Sequence, residues 1–343
     1  MLNKTLIIAM LFTFSAFNAE SQTNPAECIP PKVKEGALCV ETVTKNLVDS
    51  GNPITIKIYI REASGKTIDR TFVVVHNNEQ KGLNAVKEVL SEKDFYGRLV
   101  EVVSNYEEGF NLKETINKRR YLHFGNGKYC IDPNRIYSVK GRTDALKDSK
   151  CSGTPRDSET NNAVKLFADS LLNIVTLNNT HKFIIGVHNN TIHDEITNKD
   201  DLTLKSWSGK GPEAKTALGI FTGNKHGKNG KPGSAFDTVT DDFVLVTNGY
   251  LAGQFLDNRI HSVALQEGKD YLIDNAADAD DGSMSVYFGM TLFGNTDKPF
   301  SYINIEAGGK PNTSDIDKSK KWQKEIIRMV ITKMKPLIGE TRR

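Results

Sequence analysis

Two stretches of this chain end alike, and that likeness constrains the fold more than any other feature. Thr71-Phe72-Val73-Val74-Val75 runs into His76-Asn77-Asn78-Glu79, and Phe183-Ile184-Ile185-Gly186-Val187 runs into His188-Asn189-Asn190. Both runs are rich in β-branched and aromatic residues, which favours strands. Neither alternates apolar with polar residues, as expected of central strands covered on both faces. One such polar end is a turn that caps a strand. Two at the same relative place point to convergence on one site, because sites in open α/β sheets collect beyond the carboxyl ends of strands. Histidine offers a nitrogen and glutamate a carboxylate oxygen, and both suit Zn²⁺. His76 and Glu79 cannot make a site alone, so a third ligand must come from elsewhere in the chain.

Other segments fit a sheet with covering helices. Residues 54–60 alternate and read as a strand with one covered face. Leu83, Val86, Val89 and Leu90 recur at helical spacing after Gly82, and residues 99–103 are again strand-like. Strand, helix, strand in that order favours a parallel crossover. Ala163, Leu166, Phe167, Leu171 and Ile174 mark an amphipathic helix. Residues 243–247 and 302–308 read as strands, the second carrying Glu306 near its end. Trp322, Ile326, Met329 and Val330 give a terminal covering helix one apolar face, and Pro336 and Gly339 close it. Residues 105–130 read as irregular. Asp132-Pro133-Asn134-Arg135 reads as a rigid loop, because Pro133 restricts Asp132 to extended geometry. Residues 207–234, rich in Gly and Lys, read as a long surface loop, and Gly223-Asn224-Lys225-His226-Gly227 lacks the spacing of a phosphate cradle. The expected fold is α/β, with a mixed, largely parallel central sheet and helices on both faces.

The first residues stand apart from that domain. Lys4 precedes the apolar run 6–12, apolar character fades by Phe17, and a cleavage site fits after Ala19 or Ser21. Residues 1–21 are therefore read as a signal peptide, 22–50 as a polar N-terminal arm and 51–338 as one domain. The apolar run is short for a membrane span, so no stable membrane insertion of the mature chain is expected, and its location is periplasmic or secreted. Cys28, Cys39, Cys130 and Cys151 make an even set, which favours disulfides in an exported chain. Three pairings are possible, and the one between near neighbours is preferred. No Cys-x-x-Cys occurs, so the set is no zinc ribbon. A net charge of +3 over 343 residues is too weak to imply nucleic acid as a partner.

Taken in order, His76-Asn77-Asn78-Glu79, Asp132-Pro133-Asn134-Arg135, His188 and Glu306 resemble the zinc carboxypeptidases and their aspartoacylase and succinylglutamate desuccinylase relatives. The resemblance covers roughly residues 50–335. His-x-x-Glu is common by chance, and Asp-x-Asn-Arg is the more specific element. The resemblance implies Zn²⁺ held by His76, Glu79 and His188, with a fourth position left for water. It makes Asp132 the acid that accepts the other ring N–H of a zinc histidine. Glu306 becomes the catalytic general base. Arg135 and Asn134 become the receptor for a substrate carboxylate. Arg120 or Arg119 would polarise the scissile carbonyl. Arg120 is preferred, since Arg120-Tyr121 resembles an Arg-Tyr pair of the aspartoacylase branch, although its spacing to Asn-Arg is longer here. Tyr287 matches the mobile tyrosine that donates to substrate or tetrahedral intermediate, with Tyr250 as a rival. The Asn-Pro-Asp-Gly stretch of the digestive enzymes is missing before Arg119. The function so implied is zinc-dependent amide or peptide hydrolysis on a carboxylate-bearing substrate. A cell-wall stem peptide from peptidoglycan is the first candidate, and an N-acyl amino acid of aspartoacylase type the second. A non-catalytic peptide-binding protein is the third reading, but it has no need of a second acid such as Glu306.

Overall fold

In the computed structural model the two like-ended runs are neighbouring parallel strands. The structure describes residues 28–29, 31–48, 51–62, 68–108, 118–151, 153–178, 183–190, 218–221, 243–246, 282–284, 287–288, 301–308, 323–324, 327–328 and 330–332. For 189–190, 218–221, 243–246, 301 and 306–308 only the backbone is described. The expected signal peptide, Tyr250 and most of 207–234 lie outside these residues.

The described strands are β1 (Val33–Glu35), β2 (Leu38–Lys45), β3 (Ile54–Arg61), β4 (Arg70–Val74), β5 (Gly97–Val103), β6 (Leu122–Phe124), β7 (Tyr129–Ile131), β8 (Phe183–Asn190), β9 (Leu218–Phe221), β10 (Phe243–Val246) and β11 (Ser301–Gly308). Nine of them form one sheet in the order β1-β2-β3-β5-β4-β8-β11-β10-β9, and β6 and β7 pair separately. The central strands β5, β4, β8 and β11 run parallel, and the margins on both sides are antiparallel. The mixed α/β sheet expected from the sequence is therefore present, with its parallel part at the centre. Arg70 pairs with Phe183 and Val73 with Gly186, so β4 and β8 start at the same level and β8 runs on to Asn190 beyond the end of β4.

Each sheet face buries a different helix set. Helix α1 (Gln80–Ser91) turns Leu83, Ala85, Val86, Val89 and Leu90 onto Phe72, Val74, Leu99 and Ile185. Ile327, Val330 and Ile331 of the C-terminal helical segment join that cluster. On the other face, α2 (Val139–Ala145) and α3 (Ser158–Thr176) cover Ile56, Val73, Val100 and Ile184. Covering on both faces is why the central strands read as unbroken apolar runs. Helix α3 starts where the Asp157 carboxylate accepts from Thr160 N–H at 2.7 Å. It ends at Leu177, left-handed at φ 47°, where Arg98 donates to the Ile174 carbonyl, a cation at the negative helix end. Among the described residues no helix is long and apolar enough to cross a membrane.

Both near-neighbour disulfides are present, Cys28–Cys39 and Cys130–Cys151. Two expectations needed correcting. Residues 122–130, within the stretch read as irregular, form with Ile131 the β6–β7 hairpin, whose Gly125-Asn126-Gly127 turn has positive φ throughout. Within 207–234, Leu218–Phe221 is a strand paired to β10. Strands of three or four residues are too short to show a period in sequence.

Candidate metal centre

The turn from β4 into α1 fixes the first two candidate ligands. Glu79 N–H donates to the His76 carbonyl at 3.0 Å, which folds His76 and Glu79 over each other. Glu79 stands at the N-cap of α1, yet its side chain makes no cap hydrogen bond. It faces histidines instead. His76 Nδ1 lies 3.2 Å from Glu79 Oε1, and His188 Nδ1 lies 3.1 Å from it. His188 Nδ1 is also 3.1 Å from Glu79 Oε2, but Oε2 takes no hydrogen bond. One ligand atom from each of these three buried residues falls within 4.8 Å of the others.

Ring protonation suits this cluster to holding positive charge. His76 Nε2 lies 2.8 Å from Asp132 Oδ1. A carboxylate only accepts, so Nε2 carries the proton and a neutral His76 turns a bare Nδ1 lone pair on Glu79. Two acceptors 3.2 Å apart need positive charge between them, a proton or a cation. Ligands about 2.05 Å from a tetrahedral zinc lie roughly 3.3 Å apart, which matches these edges. Burial alone would raise the Glu79 carboxyl, but His188 and His76 bring it down to about 2. Burial lowers the His76 pKa, but Asp132 and Glu79 outweigh it and hold it above the ordinary value.

Asp132 anchors the outer side of His76. Its Oδ1 also accepts from Asn134 N–H at 2.8 Å, and its Oδ2 takes Arg120 through Nε and Nη2, each at 3.1 Å. Burial would raise this carboxyl, but His76, Arg120 and Arg135 hold it far below the usual range. The structure brings Arg120 to this acid with its side chain 33% exposed, and leaves Arg119 exposed. The loop bearing Arg120 is seated by Asn105, which accepts from His123 N–H at 2.9 Å and donates to the His123 carbonyl at 2.7 Å. Cys130–Cys151 packs with Tyr121 just beside it.

Arg135 lies half-buried after the Asp132 turn, with Nη1 on the Asn134 carbonyl at 3.2 Å. Asn134 is buried, and its Oδ1 accepts from Met284 N–H at 3.1 Å. Tyr137 N–H donates to the Gly282 carbonyl at 3.0 Å. Gly282, at φ +74°, sits so close to Gly141 that a Cβ there would stand 2.1 Å from the Gly282 Cα. These contacts seat the segment bearing Tyr287, whose ring packs 6.3 Å from that of Tyr137. Glu306 is the register partner of His188 on the adjacent parallel strand β11.

Three positions had escaped the sequence reading. Glu101 is buried on β5 and takes Asn77 Nδ2 at 3.4 Å and the Tyr59 hydroxyl at 2.7 Å, so it steadies the His76–Glu79 turn. Gly186 leaves room below His188, since a Cβ there would meet Tyr302 Oη at 2.3 Å and Asn304 Oδ1 at 2.9 Å. Gln323 donates from Nε2 to the His188 carbonyl at 3.3 Å. The one signal for Gln323 was a polar residue on the buried stripe that Ile327, Val330 and Ile331 continue.

No family model and no curated protein matches the chain. Among solved structures that align with it is one from Shewanella frigidimarina with the provisional name succinylglutamate desuccinylase/aspartoacylase. It has 10% identity and TM-score 0.39, over 86% of this chain and 72% of that one. A provisionally named metallopeptidase from Shewanella baltica aligns at 13% identity and TM-score 0.35, over 85% and 86%. A succinylglutamate desuccinylase from Vibrio parahaemolyticus aligns at 11% identity and TM-score 0.34, over 89% and 79%. Likenesses of this size do not assign an activity.

Proposed function

We propose that this chain is a zinc-dependent amide hydrolase acting on a small substrate that bears a carboxylate, of the N-acyl amino acid kind. The observation that carries the reading is the buried set His76, Glu79 and His188, with its two nitrogen–carboxylate edges of 3.2 and 3.1 Å. Two imidazoles and one carboxylate suit Zn²⁺ at a catalytic rather than a structural site. When bound, such an ion polarises a carbonyl and acidifies water.

The remaining work falls to the chain. Arg135, with Asn134 shaping its loop, pairs with the substrate carboxylate through its planar fork. Arg120, braced on Asp132 yet partly exposed, polarises the scissile carbonyl. Glu306 takes a proton from the attacking water as the C–O bond forms, and returns it to the amine nitrogen as the C–N bond breaks. Tyr287 donates a hydrogen bond to the tetrahedral oxygen. The missing Asn-Pro-Asp-Gly stretch and the Arg120-Tyr121 pair favour an acylated amino acid over the cell-wall peptide first expected. The two disulfides support an oxidising, periplasmic or secreted location, with residues 1–21 as signal peptide and 51–338 as a catalytic domain to which the 22–50 arm adds the sheet strands β1 and β2.

The test is turnover on a panel of N-acyl amino acids, short peptides and stem peptides. Glu306→Gln keeps shape but removes the proton acceptor, so kcat should fall about 10²- to 10⁴-fold with zinc content unchanged. Arg135→Ala should chiefly weaken affinity for carboxylate-bearing substrates. Normal turnover by zinc-loaded Glu306→Gln would sink the mechanism. Binding without turnover in wild type would leave a capture protein.

A further inference from the structure

The C-terminal helical segment packs across α1 and reaches the end of β8. Lys324 Nζ meets Glu88 at 2.8 Å, and Arg328 pairs with Glu92 through Nε at 3.1 Å and through Nη2. Glu88 belongs to α1, the helix that begins one residue after Glu79, and Glu92 is its C-cap. The same segment carries Gln323, which is 0% exposed. Strand β4 pairs with β8 only as far as Gly186. Beyond that point, Gln323 Nε2 brings a donor to the His188 carbonyl at 3.3 Å.

A fully buried carboxamide is costly unless hydrogen-bonded. Positions 323, 327, 330 and 331 follow the spacing of one helix stripe, and the other three are Ile327, Val330 and Ile331 in the core. Packing alone would favour a fourth aliphatic side chain at 323. The donor function of the amide is what an aliphatic residue cannot supply.

We infer that Gln323 is a positioning residue for the metal centre: by holding the His188 backbone it fixes where His188 Nδ1 points. This rests on the reading of His188 as a ligand. It makes the C-terminal segment part of the site although none of its described residues belongs to the ligand set. The effect passes through the main chain, so it does not depend on the identity of the substrate.

The experiment uses the full mature chain. Zinc affinity is measured by chelator competition, and melting temperature is measured with chelator in excess. Gln323→Met keeps length and volume but has no donor. It should bind zinc at least about 10-fold more weakly, as for other residues that orient a ligand, with little change in the chelated melting temperature. Gln323→Asn, one methylene short of the carbonyl, should lose affinity likewise and serves if the Met variant does not fold. Ile327→Ala is the packing control. It should lower the melting temperature and leave zinc affinity within about twofold of wild type, since it keeps the hydrogen bond on which the orienting effect depends. Wild-type affinity in both Gln323 variants, or an equal loss in Ile327→Ala, overturns the inference alone. A wild-type chain that takes up no zinc overturns the metal reading and the inference together.

Discussion

His76 and His188 follow the same sequence pattern and are held by opposite means. His76 is gripped by its ring, with Asp132 on Nε2 and Arg120 behind Asp132. His188 is held by its backbone, with β11 in register on one side and Gln323 on its carbonyl. Below it, Gly186 clears space for Tyr302 and Asn304. The first grip fixes a tautomer as well as a direction, because only a ring contact decides which nitrogen carries the proton. The second fixes a direction only. One histidine therefore depends on an acid loop far along the chain, and the other on rigidity of the sheet and its last helix.

The comparison breaks most sharply when a ligand itself goes. His188→Ala should reduce zinc content from about one equivalent to near none, and its affinity loss should exceed the ~100-fold that bounds the effect of residues merely orienting a ligand. Elemental analysis after gel filtration decides it, and full zinc in the variant would remove His188 from the site. A smaller effect is expected from Asp132→Asn, which keeps the size but releases the His76 tautomer. Affinity should drop about 10- to 100-fold by chelator competition. An unchanged affinity would mean that the ring contact does not orient His76. The smallest effect is a coupling. Asp132→Asn and Gln323→Met act on different ligands through different atoms, so their losses should add to within about 0.3–0.5 kcal/mol. A larger interaction term would show that the two grips are one network.

The same contrast explains what the sequence could reveal. His76 and its partner acid lie in compact motifs, His-x-x-Glu and Asp-x-Asn-Arg, each legible from a few residues. The central strands, α1 and α3 were legible because burial on one or both faces imposes a long apolar pattern. Gln323 was not, because its role depends on which carbonyl the folded sheet presents to the last helix. Arg119 and Arg120 could not be separated by residue type, and the structure distinguishes them by the pairing of Arg120 with Asp132. Glu101 was hidden in a strand run as an odd charged residue. Its partners Tyr59 and Asn77 lie 42 and 24 positions away.

The Cys130–Cys151 bond, with a sequence separation of 21, has a meaning for the unfolded chain as well. It closes a small covalent ring that contains Asp132, Asn134, Arg135 and all of α2. A ring of this size removes about 3 kcal/mol of denatured-chain entropy in the loop-closure picture. The segment that grips His76 therefore enters folding already confined, as a prefabricated cassette, while His188 must wait for the sheet to assemble.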